Sequence, residues 1–557
     1  MNALTKIVAV SMITFSHALV YPSEFFVSPT GTNIGSGTRQ SPWDISTAFA
    51  DNTISTNTNY AVKPGDTVWL LGGTYSTYVP SAWPYVKSCK LAGTSNSPIV
   101  LRQYPGERAI IDGGIYADTG SWTTFWGFEI TCSNGRTNLY SNRPAALSMS
   151  GVGQKAINLV IYNTGHAGIG SFQEDGIGRE IHGCIIWGVG IFEYDNITTF
   201  PTNAWTRGAG MYLQNRYNTL TVSDNISSRN LTEGMQSYGQ SGFVNGFVFD
   251  GNITFKNNVS GIAVDCLGNS ISNSTVINNI DYRSFRNTMG YFGDDIHAVH
   301  SGLIYSNNYQ ITYPAYRQSA LWLKRWQSVN VVGNTIVTTS KSNEWLTATD
   351  PLDGYGGGGN FVEIYPITNS MAYTITSNHY HGGVELSPPY QPFRYKIYEP
   401  ELTFGQWTNT YGFDLDSTYA TNLPTANVVV LRTNKYEIGR SHVVVLNYES
   451  NSTATVNLAN SGLSNGQQFE VRDSQNFLGD PVLSTAYNES QPDVIIPLTM
   501  TNVTAITGEI ENRFSENPNV HTASLFNAFV ILPVGDTKIA RSVTSSRVNA
   551  QKITVSN

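Results

Sequence analysis

A short pattern returns at a nearly fixed interval through the middle of the chain, and it constrains the fold more than any other feature. It reads Asn225-Ile-Ser, Asn252-Ile-Thr, Asn279-Ile-Asp and Asn334-Thr-Ile, with Asn307-Asn-Tyr between the last two. The steps are 27 residues (225 to 252), 27 (252 to 279), 28 (279 to 307) and 27 (307 to 334). Cys184 and Asn158, 26 residues apart, extend the series backwards. A period in this range marks a repeat architecture in which each unit buries its apolar face only by stacking on the next. The runs are short, rich in Val, Ile, Thr and Tyr, and punctuated by Gly and Asn, so they read as strands. A second set of strands precedes the Asn positions: Ile169-Gly-Ser-Phe, Met211-Tyr-Leu-Gln, Met235-Gln-Ser-Tyr, Ile262-Ala-Val-Asp, Met289-Gly-Tyr-Phe and Leu321-Trp-Leu-Lys. Several strands per turn, with no helical crossover, predict an all-β chain wound as a right-handed parallel β-helix. Its coils then lie about 4.8 Å apart. Asn at one position of successive coils would form an internal amide ladder that caps a tight turn.

The flanking regions obey different rules. Residues 1–20 read as an export signal peptide, with Lys6, an apolar stretch from Ile7 to Phe15 and small residues around Ala18. No later run reaches the 18 apolar residues of a membrane-spanning helix, so the expected location is secreted or cell-surface, without membrane insertion. Residues 21–420 form the β-helix. Within them Asp44–Ala50 reads as a short helix plugging the open end of the first coil, and Lys63-Pro-Gly-Asp66 as a turn launching the strand from Thr67. Phe404–Thr418 reads as the last coil and linker. Residues 421–536 carry short strands at irregular spacing, including Asn427-Val-Val-Val-Leu, His442-Val-Val-Val-Leu and Phe529-Val-Ile-Leu. They predict a small antiparallel β-sandwich that closes its own core. Residues 537–557 read as a polar tail.

The segment from Glu24 to Tyr75, together with Pro98-Ile-Val-Leu-Arg-Gln-Tyr-Pro-Gly-Glu-Arg-Ala-Ile-Ile-Asp-Gly113, resembles the N-terminal region of secreted bacterial right-handed β-helix proteins. Many members of that group are polysaccharide lyases or glycoside hydrolases. The resemblance therefore implies a polysaccharide partner, and it is specific for fold, not for reaction. Composition agrees: only 13% of the residues are charged, the net charge is −8, and no Lys/Arg run offers a footprint for nucleic acid. Four cysteines are too few for a disulfide scaffold; Cys184 and Cys266 read as buried thiols.

Alternation along the second set of strands places candidate site residues. If Met211, Met235, Ile262 and Leu321 face inward, Tyr212, Gln236, Ala263, Gly290 and Trp322 form one outward column. Gln214, Tyr238, Asp265, Phe292 and Lys324 form the next. Tyr212, Gln214, Gln236, Tyr238 and Trp322 suit an elongated sugar chain lying across the coils, and His297 stands beside them. Asp265, Asp294, Asp295 and Lys324 are the candidate catalytic groups. Hydrolysis needs two carboxyl groups about 5–9.5 Å apart. β-Elimination would use Lys324 or a Tyr as base, with carboxylates holding Ca²⁺ against a uronate. No cofactor is otherwise implied, and His297-x-x-His300 lacks the third ligand of a zinc site. Two classes stay open: an enzyme cleaving an acidic polysaccharide, and a non-catalytic glycan-binding, adhesin or tailspike-like module.

Overall fold

The computed structural model describes residues 22–535, except 51–60, 80–83, 134–144, 173–174, 191–207, 240–242, 267–268, 285, 291–297, 313–318, 339–359, 368–370, 383–390, 397–398 and 507–516. The segments read as a signal peptide and as a polar tail fall outside the described residues.

Three long parallel sheets run the length of the N-terminal part, with 13, 12 and 10 strands among the described residues. Each coil contributes one strand to each sheet in turn, as in Leu220–Ser223, Ile226–Ser228 and Met235–Gly239. This is a parallel β-helix. Its interior is a continuous stack in which Phe125, Ala156, Ile181, Val222, Phe249, Val276, Tyr305, Val331 and Ile375 occupy one register position of the first sheet. Ile169, Met211, Met235 and Ile262 do the same in the third. All are almost completely excluded from water.

Both ends are plugged. The helix Ile45–Ala48 is capped by the Asp44 side chain, which accepts from Thr47 N at 2.7 Å, and all four of its residues are buried. The Lys63–Asp66 turn is closed by Asp66, whose carboxylate accepts from Lys63 N and Ser23 N at 2.7 Å. The first strand comes earlier than the turn suggested: Glu24–Val27 already pairs with Thr67–Leu70. At the other end Phe404–Tyr411 is an α-helix with a Thr403/Gln406 capping box, not a last strand coil. Its Trp407 is fully buried, 5.0 Å from the Phe393 ring.

The amide ladder exists, with two corrections. Asn225, Asn252, Asn279, Asn308, Asn334 and Asn378 pass Nδ2–H to Oδ1 in series at 2.9–3.0 Å. Each Oδ1 also accepts the backbone N–H of the preceding ladder residue, and Asn378 ends on Asp414 Oδ1 at 2.9 Å. Asn307 is not in the ladder, and Leu159, not Asn158, precedes Cys184 at that position. Asn158 and Asn307 belong to a neighbouring column with Gly183, Asp224, Gly251, Asn278, Gly333 and Ser377, whose φ values run from 50° to 70°. Asn tolerates this left-handed conformation because its short side chain bonds locally, so one residue type serves two adjacent columns. A second ladder, Asn230 to Asn257 to Ser284, caps the opposite end of the same strands.

The C-terminal region folds into a five-stranded and a two-stranded antiparallel sheet. They share a core that includes Val443, Val445, Val456, Phe469, Ile496 and Phe529. This core does not close the domain. The opposite side of the larger sheet presents Val428, Val444, Leu446, Phe526, Ala528 and Val530 to the outside of the second β-helix sheet. There it meets Ile226, Phe255, Ile280, Tyr282 and Ile311, with Phe526 stacked on Tyr282 at 4.6 Å. Polar contacts frame the seam. Arg229 Nη1 donates to Thr504 O at 2.9 Å, Lys256 Nζ to Val520 O at 2.9 Å and Trp126 Nε1 to Glu437 Oε1 at 2.7 Å. Glu180 bridges Lys155 and Lys435; these two cations hold its carboxyl at about 2 although burial pushes the other way.

Candidate functional site

With the C-terminal domain over the second sheet, polar and aromatic side chains that face outward in regular columns are found on the third. Register fixes them. Tyr116, Ser148, Gly170, Tyr212, Gln236, Ala263, Thr288, Trp322, Glu363 and Arg394 form one column. Two residues on in each strand come Phe172, Gln214, Tyr238, Asp265, Gly290, Lys324, Tyr365 and Lys396.

The sequence-derived columns are correct except in the 289 coil, where Met289 pairs with Val264 and Leu323. Thr288, not Gly290, therefore stands between Ala263 and Trp322, and Gly290, not Phe292, stands between Asp265 and Lys324. Only Gly fits there. Its φ is 106°, and a Cβ would lie 2.1 Å from the Lys324 carbonyl oxygen. Asp294, Asp295, His297 and Phe292 lie outside the described residues. His300 is fully buried, accepts from Ile271 N through Nδ1 at 3.1 Å, and is depressed to about 4 by burial. It is an internal residue, not a turn ligand.

Asp265 and Gln236 are also less exposed than alternation alone suggested, at 6% and 9%. Asp265 Oδ1 accepts from the Cys266 N–H at 2.7 Å. Tyr212, Tyr238, Gln214, Trp322 and Lys324 are half-buried.

Two aromatic clusters stand on this face. Toward the N-terminal coils, Phe172 lies 5.6 Å from Tyr212, which meets Tyr238 edge-on at 6.0 Å, with His166 6.5 Å from Tyr212. Toward the C-terminal coils, Trp322 meets Tyr365 edge-on at 5.2 Å. Lys324 Nζ sits 5.5 Å from the Trp322 ring and 5.3 Å from the Tyr365 ring, and the Arg286 guanidinium lies 4.4 Å from Trp322. Such placement gains from the ring quadrupole. Between the clusters the columns narrow to the small residues Ala263, Thr288 and Gly290. Asp265 and Lys324 flank Gly290 in the second column, two strand spacings or about 10 Å apart.

Sequence reasoning missed Glu363, Tyr365, Arg394, Lys396 and Arg286. Tyr365 donates to Glu363 Oε1 at 2.7 Å, Ser319 Oγ donates to Glu363 Oε2, and Arg394 bridges Glu363 (3.3 Å) and Glu401 (2.5 Å). Burial, then the Glu363 charge, raises the Tyr365 hydroxyl well above its ordinary value. Arg394 stays firmly cationic against its burial because Glu363 and Glu401 hold it. Val362-Glu-Ile-Tyr365 repeats the alternation of Leu321-Trp-Leu-Lys324, a signal hidden by the long insertion before it. Among the described residues no group of three or more His, Cys, Asp or Glu is placed to hold a metal ion, and no helix is long and apolar enough to cross a membrane.

No family model and no curated protein matches this sequence. Solved structures do resemble it. A pectate lyase is 15% identical over 65% of this chain and 79% of its own, with a TM-score of 0.34. A rhamnogalacturonan lyase is 12% identical over 72% and 87%, with a TM-score of 0.35. PfbA, a surface adhesin of Streptococcus pneumoniae, is 12% identical over 59% and 79%, with a TM-score of 0.36. With scores this low, the site is read from this chain's own geometry.

Proposed function

We propose that the third sheet binds an acidic polysaccharide laid across the coils and that the protein, acting outside the cytoplasm, cleaves it by β-elimination beside Lys324. The observation that carries this is the Trp322, Lys324 and Tyr365 cluster. A ring platform with a cation over it meets both the apolar face and the negative charge of a uronate. In this scheme the Lys324 ammonium attracts the uronate, gives up a proton to water, and as the free amine removes the proton α to the uronate carboxyl group. The electrons form the new C=C bond, the glycosidic oxygen leaves from the β-carbon, and that oxygen takes up a proton. Hydrolysis fits the described residues less well. Glu363 is three strands beyond Asp265, at least about 14 Å away, outside the range of a glycosidase carboxyl pair.

One observation favours the non-catalytic reading instead. Asp265 is nearly buried and engaged by its own neighbour's N–H, as a purely structural carboxylate would be.

The test is digestion of acidic and neutral polysaccharides with the full chain and Lys324→Met. Ultraviolet-absorbing unsaturated ends, lost by at least about 10²-fold in the variant, support elimination through Lys324. New reducing ends without that absorbance mean hydrolysis. Binding without cleavage establishes the binder.

A further inference from the structure

The C-terminal domain does not meet the β-helix through apolar contacts alone. At one end of the seam, residues 432–442 lie against Glu180–His182 of the first sheet, and two histidines are enclosed there. His182 and His442 are 1% and 2% exposed. His182 is held as the neutral ring. Its Nε2 accepts the backbone N–H of Lys435 at 3.2 Å, so the ring proton is on Nδ1, which bonds Ser223 Oγ at 2.9 Å. A second proton would have to go on Nε2, and an N–H there would face the Lys435 N–H with no lone pair between them. Protonation of this ring and its bond to Lys435 therefore exclude each other, and that bond joins the two domains.

The surroundings give a second proton little support. On the domain side Arg432, Lys435 and Arg440 are cations. Glu437 is the acid there, committed to Arg440 at 3.3 Å and to Trp126 Nε1 at 2.7 Å. On the β-helix side Glu180 is shared by Lys155, Lys435 and Tyr436, and Asp250 accepts from Asn278 Nδ2 at 2.8 Å. Asp224 Oδ2 lies 3.8 Å from His182 Nδ1, but burial raises its carboxyl to about 7, so it is neutral in acid, where a charged ring would need it. Tyr436 meets the His182 ring edge-on at 5.3 Å. Neither ring nitrogen of His442 has a hydrogen-bond partner among the described residues; Arg440, His182 and Arg432 oppose a proton on it, and the Asp224 backbone favours one. Burial holds His182 down to about 4 and His442 well below its ordinary value.

We propose that this edge is an acid-released latch: protonation of His182 and His442 breaks the bond to Lys435 and lifts residues 432–442 from the β-helix, while the apolar contacts around Phe526 keep the rest of the domain seated. An imidazole lowered in the closed state stabilises the seam above about 6.5, and that contribution is lost as pH falls toward 4. Asp224 works the other way, since a raised carboxyl favours the closed seam once it is protonated, so two rings act against one acid. None of these residues is on the third sheet, and the latch is independent of what that sheet binds.

Hydrogen exchange of the full chain between pH 7 and pH 4, each rate normalised to the intrinsic rate at that pH, tests the latch in the parent, His182→Gln and His182→Gln/His442→Gln. Glutamine can accept from Lys435 N and stays neutral throughout. In the parent, protection of Lys435, Tyr436 and Glu437 should fall at least about tenfold at pH 4, with a midpoint between about 4 and 6.5. The strand Met235–Gly239 should be unchanged. The loss should be smaller in the single variant and absent in the double one. Equal protection at both pH values, a loss that the double variant shares, or a simultaneous loss in Met235–Gly239 overturns the latch. If the variants are unprotected already at pH 7, the parent's midpoint decides. A midpoint between about 4 and 6.5 supports the rings; one below about 4 assigns the loss to carboxylates such as Glu180, held at about 2, and overturns their role.

Discussion

The second and third sheets are built by the same coils, yet they meet the outside in opposite ways. In the second sheet the outward column is Val160, Ile185, Ile226, Ile253, Ile280 and Tyr309, and all are buried under the C-terminal domain. The inward column of the same coils runs Ser227, Thr254, Asp281 and Gln310. Over these coils the sheet is inside-out. Thr254 Oγ1 donates to Asp281 Oδ1 at 2.8 Å, and Gln310 Nε2 donates to Ala320 O at 2.6 Å, so the interior polar groups serve one another and the corner backbone. The third sheet has the ordinary arrangement, apolar inward and polar outward. An apolar outward column on a solenoid calls for a permanent cover, because a patch of that size left in water would drive association. A polar and aromatic one is free to receive a ligand.

The largest test of this contrast removes the cover's anchor. Phe526 is fully buried between Phe255 and Tyr282. Phe526→Ala should cost about 3–5 kcal/mol in chemical denaturation, as for other buried aromatic truncations. Residues 421–536 expressed alone should expose the face of Val428, Val444 and Leu446, and so aggregate or unfold without cooperativity. A soluble fragment with a cooperative transition and native near-ultraviolet dichroism would break the comparison, because the seam would then be incidental.

Next comes the ladder, which both sheets need because it fixes the corner from which each coil turns. Asn252 accepts from Asn225 N and Nδ2 and donates to Val222 O and to Asn279 Oδ1. Asn252→Leu strands buried backbone groups at about 1–3 kcal/mol each. A melting temperature within error of the parent would mean that the ladder is decorative.

The sequence displayed the period and therefore the fold, since an Asn amide that must bond its copy in the next coil can sit at few places. It did not display which of two adjacent columns an Asn occupies. Asn158 and Asn307 fit the left-handed position as well as they would fit the ladder. It also hid the inversion of the second sheet. Ile after Asn reads as core at either parity, so the domain that covers Ile226, Ile253 and Ile280 was expected to stand alone. At the site, Tyr212, Tyr238, Trp322 and Lys324 follow from strict alternation. Glu363, Tyr365 and Arg394 do not, because a step of 44 residues (334 to 378) replaces the usual period. The slip at Met289 follows from an irregular register between Ser260 and Ala263 in the preceding strand.

A smaller effect is expected from pH. Burial lifts the Asp281 carboxyl from 3.8 to about 7, with Ser284 and Thr254 opposing the shift. A carboxyl raised in the folded state stabilises the fold below its unfolded value, and that contribution is lost as pH rises through about 7. Asp281→Asn mimics the neutral acid and removes this dependence. Between pH 4 and 7 the parent should lose stability relative to the variant by at most about 1.4 kcal/mol per pH unit. His182 and His300, both lowered to about 4 by burial, act oppositely: their contribution is present above about 6.5 and lost as pH falls. They are unchanged in the variant, so the difference between the two curves isolates Asp281. Parallel curves would mean that this acid is ionised inside the fold.

The smallest expected change is on the third sheet and sharpens the contrast most directly. Gln236 lies on the outward side between Tyr212 and Ala263, 9% exposed, as hidden by area as many core residues. Its neighbours above and below, Tyr212 and Ala263, face outward as well. Gln236→Leu should therefore shift stability by no more than about 0.5 kcal/mol, the range of surface substitutions. Binding of an acidic oligosaccharide should fall, since an amide on the stacking face is lost. A cost comparable with that of Asn252→Leu would mean that Gln236 is a core residue and the third sheet is covered. In that case the two sheets would not differ in the way their outward columns indicate.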